Sequence, residues 1–471
     1  MAGMGKTTLA QALYDKMSAE FDRAVFIHIG QRGDTPDPEK VLKDIFYELR
    51  VEIYGKKPDQ TQLVKQLQDY LLDKRYLIVI DNLWEEATWI LIKHACEGKA
   101  GSKIITTSRK RKILKGVADD DVYNMKPLST ADSKEVLCTK IFGRKAKNHD
   151  TDFAKLPDKI LLKCGGVPIA IKIIGGLLAK IESKEWSRVC DKIDFDEHKE
   201  DMVLENVRKV MQYSYTELPD YLKGCFLYLS MFLEGHWIEK NKLIWMWVAE
   251  GLIPNASFET GERYLNELLD RSMIQWAVSP GDVGQGGCRV HSLMLALIRD
   301  LSSSENFSTV LDMKQESTSQ TRPIHRLAIH QKINQTTSLE VEQVRSFFAS
   351  MCPGSSLPPL SKFAHVRAID LEACDLSVGD CELGDLGKLS GLKYVGLVGT
   401  PVAKLRVEKG DFKFLQTLDV RATGISELPP FVQELGRLRC LRSWQRHEDD
   451  GPGRQANVPG RVVVALGGQV P

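Results

Sequence analysis

The sequence has no apolar run long enough to cross a membrane. Its most apolar stretch, residues 169–178, contains two adjacent glycines and is far shorter than the roughly 18 apolar residues that a membrane helix needs. The start of the chain also lacks the basic and apolar pattern of a targeting peptide. We therefore expect no membrane span and a cytoplasmic location, with a nuclear pool as the alternative.

Cysteines with metal-ligand spacing are absent, and so is an excess of charge of either sign. The ten cysteines are scattered along 471 residues, which indicates reduced thiols rather than a zinc site or a disulfide framework. Lysine and arginine total 64, and aspartate and glutamate total 63, so charge alone indicates neither nucleic acid nor a membrane surface as partner. The length predicts three or four domains.

The first residues contain part of a phosphate-binding motif. Gly5, Lys6 and Thr7 match the end of the pattern G-x-x-x-x-G-K-[ST], whereas its first glycine and the preceding strand are missing from the sequence. A helix is predicted over 7–17, and amides at a helix N-terminus bind phosphate. Its apolar side is predicted to comprise Leu9, Ala10, Leu13 and Met17. The alternative is a helix start with a chance Lys-Thr pair.

Strands and helices alternate after this loop, which predicts an α/β domain with a parallel sheet. Strands are predicted at 24–29, 76–84 and 103–109, and helices at 41–49 and 63–72. Asp81 ends the second strand, so its carboxylate is a candidate for holding Mg²⁺ through water; a plain Asp-Asn turn is the alternative. Arg109 ends the third strand, where it can sense a γ-phosphate or simply lie in solvent.

Six motifs follow one another in a specific order. They are Gly3–Thr8, Tyr76–Trp84, Gly101–Arg109, Cys164–Ala170, Cys225–Phe232 and Trp245–Leu252. This succession resembles the NB-ARC module of plant nucleotide-binding leucine-rich-repeat disease-resistance proteins, truncated at its N-terminus. Trp84 at the end of the acidic strand is similar to the coiled-coil class of these receptors. The resemblance implies a switch: ADP holds the receptor closed, ATP opens it, and open protomers assemble into a signalling oligomer.

The resemblance also implies roles for individual residues. Those implied to bind ADP or ATP are Gly3, Gly5, Lys6, Thr7, Thr8, Arg109, Pro168 and His291. Thr7 and Asp81 are implied to hold Mg²⁺, and Arg109 to sense the γ-phosphate. Pro168 is implied to pack on adenine and His291 to reach the β-phosphate. Without the resemblance, Pro168 would be a loop residue between helices and His291 a structural residue at a strand end.

Two residues depart from the family pattern inside the switch. Asn82 occupies a position that is usually a second acid, and an amide cannot act as a general base near neutral pH. We therefore predict at most slow ATP hydrolysis, unless other groups orient the water. Ser292 occupies a position that is usually aspartate; serine can cap the following helix, but a carboxylate beside the nucleotide is lost. This predicts a switch biased away from its resting state.

The predicted fold is multidomain. It comprises an α/β P-loop NTPase domain at 1–127, a helical bundle at 128–205 whose first helix is capped by Ser129, a winged-helix domain at 206–315, an α/β leucine-rich-repeat solenoid at 322–444 and a disordered tail at 445–471. The winged helix is predicted to contain a hairpin with a strand at 272–278 and a glycine-rich loop at 281–287. It lacks a Lys/Arg cluster on a candidate recognition helix, which argues against DNA binding.

Repeated segments at 325–329, 344–348, 366–371, 392–397 and 415–420 predict about five irregular leucine-rich repeats. Each would place a short strand on a concave protein-binding face. The resemblance implies a pathogen effector or a guarded host protein as partner there, and related receptor protomers as further partners. The alternative is packing of the repeats against the nucleotide module. A second functional reading is a degenerate receptor fragment that docks to related receptors as a decoy without switching.

Overall fold

The computed structural model describes residues 2–29, 38–55, 58–96, 100–114, 116–118, 121–143, 158–193, 203–279, 282–311, 323–330, 339–376, 384–405, 408, 411–425 and 427–443. The predicted tail at 445–471 lies outside these residues. The chain divides into two compact units. The first comprises Met1–Pro219, Leu233–Trp237 and Glu267–Leu297, and the second comprises Asp220–Phe232, Ile238–Asn266 and Ile298–Pro471. No helix in the described segments is both long and apolar enough to span a membrane.

The first unit begins with the predicted α/β domain. Its elements are α1 Lys6–Met17, β1 Arg23–His28, α2 Pro38–Leu49, α3 Gln60–Leu71, β2 Tyr76–Leu83, α4 Glu86–Ala95 and β3 Lys103–Ser108. Within the described residues the strands form one parallel sheet in the order β1-β2-β3. The register places His28 opposite Asp81 at the carboxyl ends of β1 and β2. The predicted parallel α/β architecture is confirmed.

Burial on the helices follows the predicted spacing on α2 but not on α1. All five apolar positions that repeat at helical spacing along α2 are buried: Val41, Leu42, Ile45, Phe46 and Leu49. On α1, however, Leu9 is 39% exposed, so the prediction that it lies on the buried side was wrong. Tyr14 packs against the sheet instead, with its ring 5.7 Å from that of Phe26 and its hydroxyl donating to Ala24 O at 3.1 Å. Tyr14, which the predicted apolar side of α1 did not include, therefore faces the sheet.

A helical layer completes this part of the first unit. Its helices are α5 Thr130–Phe142, α6 Asp158–Lys163, α7 Pro168–Leu178, α8 Trp186–Lys192 and α9 Val203–Thr216. The Ser129 hydroxyl accepts from Asp132 N at 3.1 Å, which confirms the predicted N-cap. The apolar stretch at 169–178 is a buried helix that packs between α5 and α9. Its apolar side chains therefore form part of the protein core.

The segment from 220 to 304 carries helices and a hairpin. Its elements are α10 Asp220–Tyr228, β4 Ile238–Glu239, α11 Lys240–Glu250, α12 Phe258–Asp270, β5 Gln275–Ser279, β6 Asp282–Arg289 and α13 Ser292–Ser304. Strands β5 and β6 pair antiparallel, as predicted. The prediction of a glycine-rich loop at 281–287 was wrong for 282–287, which belong to β6. A Cβ atom at Gly286 would lie 2.1 Å from the Trp276 ring, so glycine lets this indole pack closely over the strand.

The repeats in the second unit form a parallel sheet. Its elements are β7 Thr309–Leu311, β8 Arg326–His330, β9 Ser346–Ser350, β10 Ala368–Glu372, α14 Gly384–Lys388, β11 Tyr394–Gly396, β12 Thr417–Asp419 and β13 Cys440–Arg442. The described strands number seven and lie in strict chain order. The prediction of about five units therefore missed β7 and β13.

One face of this sheet carries buried charges, and α11 lies against it within the second unit. The Lys242 ammonium pairs with Asp370 and Glu372 at 2.7 Å each. Glu239, immediately before α11, pairs with Arg421 at 2.8 Å and also with Arg442. The opposite face packs against an apolar core of leucine, valine, isoleucine and phenylalanine side chains. In this structure α11 therefore occupies the charged face of the repeats.

Candidate functional site

Two glycines shape the loop before α1. Gly3 and Gly5 have φ values of 77° and 87°, in the left-handed region that glycine adopts without strain. Gly5 is the N-cap residue, and the helix begins at Lys6. The amides of the first turn therefore point out of the helix end beside these two glycines, which is the geometry of an anion site.

The turn before α7 lies directly against this loop. A Cβ atom at Gly3 would lie 2.6 Å from Ile169 Cγ2, and one at Gly5 would lie 3.9 Å from Pro168 Cγ. Pro168 is the first residue of α7, a position where its fixed φ suits the helix. The structure thus brings Pro168 beside the loop that precedes α1.

Asp81 is the centre of a hydrogen-bond network. The Thr7 hydroxyl donates to its two carboxylate oxygens at 2.9 and 3.0 Å, and the Thr107 hydroxyl donates to Oδ1 at 2.6 Å. His28 Nδ1 lies 2.6 Å from Oδ2. Burial raises the pKa of Asp81, but the hydrogen bonds from His28, Thr107 and Thr7 outweigh it and hold that pKa below the usual value. The structure brings Thr7 and Asp81 together, as the sequence predicts.

The sequence analysis missed His28 and Thr107. His28 carries no motif, but it is the last residue of β1, and parallel pairing of β1 with β2 sets it beside Asp81. Thr107 comes from the neighbouring strand β3. Because the carboxyl ends of parallel strands meet at one sheet edge, the strand ends could have indicated both residues.

Asn82 makes hydrogen bonds to the backbone and to β3. Its φ is 67°, a left-handed conformation in which asparagine is enriched. Its side-chain amide donates to Ile29 O at 2.9 Å, and its backbone N–H donates to the Thr107 hydroxyl at 2.9 Å. Asn82 therefore ties the end of β2 to the segment after β1 and to β3.

Three basic groups converge near the start of α1. Burial lowers the pKa of Lys6, the charge of Arg109 lowers it further, and Asp81 raises it. Burial, Arg109 and Lys6 together lower the pKa of His291 to about 4, so its imidazole is neutral at pH 7. His291 Nδ1 accepts from the Leu293 backbone N–H at 3.2 Å. The charge of Arg109 acts on both Lys6 and His291, so the three side chains are close enough to interact electrostatically.

Arg109 is held by three neighbours. Its Nη2 atom donates to Glu234 Oε1 and to the Ser292 hydroxyl, each at 2.8 Å. Its guanidinium carbon lies 5.2 Å from the centre of the Trp84 ring, within cation–π range. Ser292 is the first residue of α13, so its hydroxyl links the start of that helix to Arg109. Thr8 is exposed on the first turn of α1.

The donors at Thr7 and Asp81 fit a magnesium ion. Both supply hard oxygen atoms, and Mg²⁺ in nucleotide sites usually takes one or two protein oxygens together with water and phosphate. No cluster of three or more histidine, cysteine or acidic side chains that could cage a metal occurs in the described parts of the chain. Thr7 and Asp81 thus offer two hard protein oxygens side by side at the start of α1.

Three protein-family models match this chain. The NB-ARC domain matches residues 1–147, the winged-helix domain of disease-resistance proteins matches 231–298, and a leucine-rich-repeat region matches 343–453. The matches follow the order of the α/β domain, the hairpin segment and the repeat sheet. Fold and site together define a multidomain nucleotide-binding protein with leucine-rich repeats.

Several proteins that are similar to this chain are plant disease-resistance proteins. Disease resistance protein Pik-2 of Oryza sativa is 26% identical over 95% of this chain and 50% of its own length. Putative disease resistance RPP13-like protein 3 of Arabidopsis thaliana is 29% identical over 94% and 53%, respectively. ToMV resistance protein Tm-2(2) of Solanum lycopersicum is 31% identical over 65% and 36%. The chain thus contains the NB-ARC, winged-helix and leucine-rich-repeat domains of plant disease-resistance proteins, and it spans 36–53% of the length of these three relatives.

Among solved structures, the Aeropyrum pernix ORC1 protein in complex with DNA aligns at 16% identity over 65% of this chain and 85% of that chain. The TM-score is 0.26. A similarity at this level supports no argument about the ligand or partner of this chain.

Proposed function

We propose that this chain forms the adenine-nucleotide switch of a plant innate-immune receptor, with ADP holding a resting conformation and ATP an active one. The observation that carries the proposal is the convergence of Lys6, Arg109 and His291 beside the N-terminus of α1. Burial lowers the pKa of Lys6, which is consistent with an ammonium that is poorly solvated, and the neutral His291 adds a polar group beside it. A polyphosphate would offset that charge, while Pro168 beside Gly5 supports a nucleotide base as the rest of the ligand.

Mg²⁺ is part of the proposal. The Thr7 hydroxyl and the Asp81 carboxylate would hold it, and when bound it would neutralise phosphate charge. His28 and Thr107 orient the Asp81 carboxylate from β1 and β3. We expect hydrolysis to be slow because Asn82 is an amide whose side chain donates to Ile29 O.

The remaining parts of the proposal concern partners. The repeats are proposed to bind a pathogen effector or a guarded host protein, and the switch to associate with other receptor protomers. The compartment proposed for these events is the cytoplasm. The names of the disease-resistance proteins to which this chain is similar support the immune role from which we infer these partners.

Retention of ADP by the purified full chain tests the proposal. We expect Lys6→Ala to weaken ADP binding at least tenfold, because the ammonium that pairs with the phosphates is lost. Lys16→Ala is the matched control: Lys16 lies in the last turn of the same helix and is exposed. Equal ADP binding by the parent and Lys6→Ala would contradict the proposal. Loss of both nucleotides with preserved association to related receptors would support the decoy alternative.

A further inference from the structure

The contacts of Arg109 define a competition at the nucleotide site. A guanidinium Nη2 atom carries two hydrogens, and in Arg109 this atom donates to Glu234 at 2.8 Å and to Ser292 at 2.8 Å. Both hydrogens of Nη2 are therefore committed. A terminal phosphate that recruits this edge of Arg109 has to displace the Glu234 carboxylate or share the guanidinium with it.

Glu234 is held in place by its own short segment. It precedes Gly235, whose φ of 73° permits a tight turn, and the turn is closed by His236 N–H donating to Leu233 O at 3.1 Å. The indole of Trp237 then donates to Ala277 O at 3.2 Å, which ties this segment to strand β5 within the first unit. The Glu234 carboxylate is thus held beside Arg109 by a turn that is hydrogen-bonded to strand β5 through Trp237.

Charge distinguishes the two acceptors of Arg109. The Ser292 hydroxyl is neutral, whereas the Glu234 carboxylate is anionic and half-buried, so it interacts strongly with Arg109 and would repel a third anionic phosphate. The sequence predicted that a carboxylate beside the site is lost at position 292. The structure places one there from position 234 instead.

We propose that Glu234 is a specificity-determining residue that selects ADP over ATP by holding Arg109 away from the γ-phosphate. This inference rests on the proposed function, since it requires an adenine nucleotide at the Lys6 site. In this arrangement Glu234 disfavours the triphosphate in two ways: it occupies the Nη2 edge of Arg109, and its negative charge opposes the additional phosphate.

The test is the ratio of ATP to ADP affinity, measured with the full chain, ADP, a non-hydrolysable ATP analogue and Mg²⁺ by displacement of a fluorescent ADP. Glu234→Gln keeps the shape of the side chain and removes its charge, and we expect it to raise the ratio about tenfold. Ser292→Asp adds a carboxylate at Arg109 and should lower the ratio. Glu217→Gln, which changes an exposed glutamate of the first unit, is the matched control.

A double-mutant cycle identifies the route of the effect. In an Arg109→Ala background, Glu234→Gln should no longer change the ratio. Glu234→Asp, which keeps the charge, should stay closer to the parent, and thermal melting checks that each variant is folded. If binding depends on Lys6 but the ratio of ATP to ADP affinity is the same in the parent and in Glu234→Gln, the role of Glu234 is overturned. The proposed function then stands. Absence of Lys6-dependent binding in both would overturn the proposed function, and the inference with it.

Discussion

His28 Nδ1 lies 2.6 Å from Asp81 Oδ2, so a histidine at the end of one strand supports the carboxylate that ends the next. Thr7 and Thr107 donate to the same carboxylate from α1 and β3. Asp81 is therefore fixed by three separate elements before any ligand binds. Such pre-organisation lowers the cost of ordering a metal and phosphate ligand at this position.

Replacing His28 with alanine is expected to make the protein more sensitive to acid. The pKa of Asp81 is held below 3.8 despite burial, and His28 contributes most to this lowering. A carboxyl group with a lowered pKa adds stability that is present above its unfolded pKa and lost as pH falls through its folded pKa. Acid unfolding of His28→Ala should therefore begin at a higher pH than in the parent.

Acid titrations followed by tryptophan fluorescence measure this shift. His28→Asn retains a side-chain donor and should fall between the parent and His28→Ala. His94→Ala, which changes an exposed histidine of α4, should leave the acid midpoint in place. Coincident acid-unfolding curves for the parent and His28→Ala would contradict the role assigned to this hydrogen bond.

Gly3→Ala is expected to destabilise the first unit more than Gly116→Ala. Both glycines have similar positive φ values, 77° and 75°, so both substitutions carry a backbone cost of about 1 kcal/mol. A Cβ atom at Gly3 also meets Ile169 at 2.6 Å, whereas one at Gly116 would meet only the end of the Lys93 side chain, at 3.4 Å. Urea unfolding should give a difference of about 1–3 kcal/mol between the variants. Adding Ile169→Ala to Gly3→Ala removes the side-chain atom that the new Cβ would meet, so the double variant should recover part of the lost stability.

The sequence predicted those parts of the molecule that follow from the order of strands and helices along the chain. Strand ends of a parallel sheet share an edge, so the positions of Asp81 and Arg109 made both residues candidates for the phosphate loop, each with a plain structural alternative. His28 also ends a strand at this edge, and the register pairs it with Asp81. Glu234 lies 125 residues from Arg109, and its contact depends on the packing of a distant turn. Long-range partners of this kind leave no periodic signal in one sequence.

Nucleotide affinity is expected to rise as the pH falls from about 6.5 toward 4. Burial, Arg109 and Lys6 lower the pKa of His291 to about 4, so the free protein carries a neutral imidazole at pH 7. A phosphate beside His291 favours the charged form and raises this pKa, so binding takes up a proton in that window. Calorimetric titration of ADP at several pH values should show the uptake. ADP itself also titrates in this range, and His291→Gln should remove the proton uptake that exceeds this contribution. Identical pH profiles of ADP affinity for the parent and His291→Gln would refute the linkage.

Asn82→Asp is expected to destabilise the protein by about 1–3 kcal/mol, because a carboxylate cannot donate to Ile29 O and leaves that carbonyl facing a negative charge. Asn82→Gly is the control, since it keeps the left-handed backbone and removes only the amide. Urea unfolding measures the difference.

If the Asn82 amide also limits hydrolysis, single-turnover ATP cleavage should be faster in Asn82→Asp than in the parent. Equal rates would count against that hypothesis.

Removing Glu239 is expected to cost about 3–5 kcal/mol, because it leaves buried positive charge uncompensated. Its carboxylate pairs with Arg421 at 2.8 Å and with Arg442, and Asp419 contacts the same two arginines at 2.6 and 3.2 Å. In Glu239→Ala, two buried guanidinium groups share the single carboxylate of Asp419. Urea unfolding of the full chain should show an earlier transition.

Glu262→Ala is the matched control for this buried cluster. Glu262 pairs with Lys240 at the start of α11, but both side chains are partly exposed, so its loss should cost less than about 1 kcal/mol. Adding Arg442→Met to Glu239→Ala should restore part of the stability, because it removes one of the stranded charges. Equal effects of Glu239→Ala and Glu262→Ala would show that the cluster contributes no more than a surface pair. A large, partly rescued loss would establish that charge pairing holds α11 on the repeats.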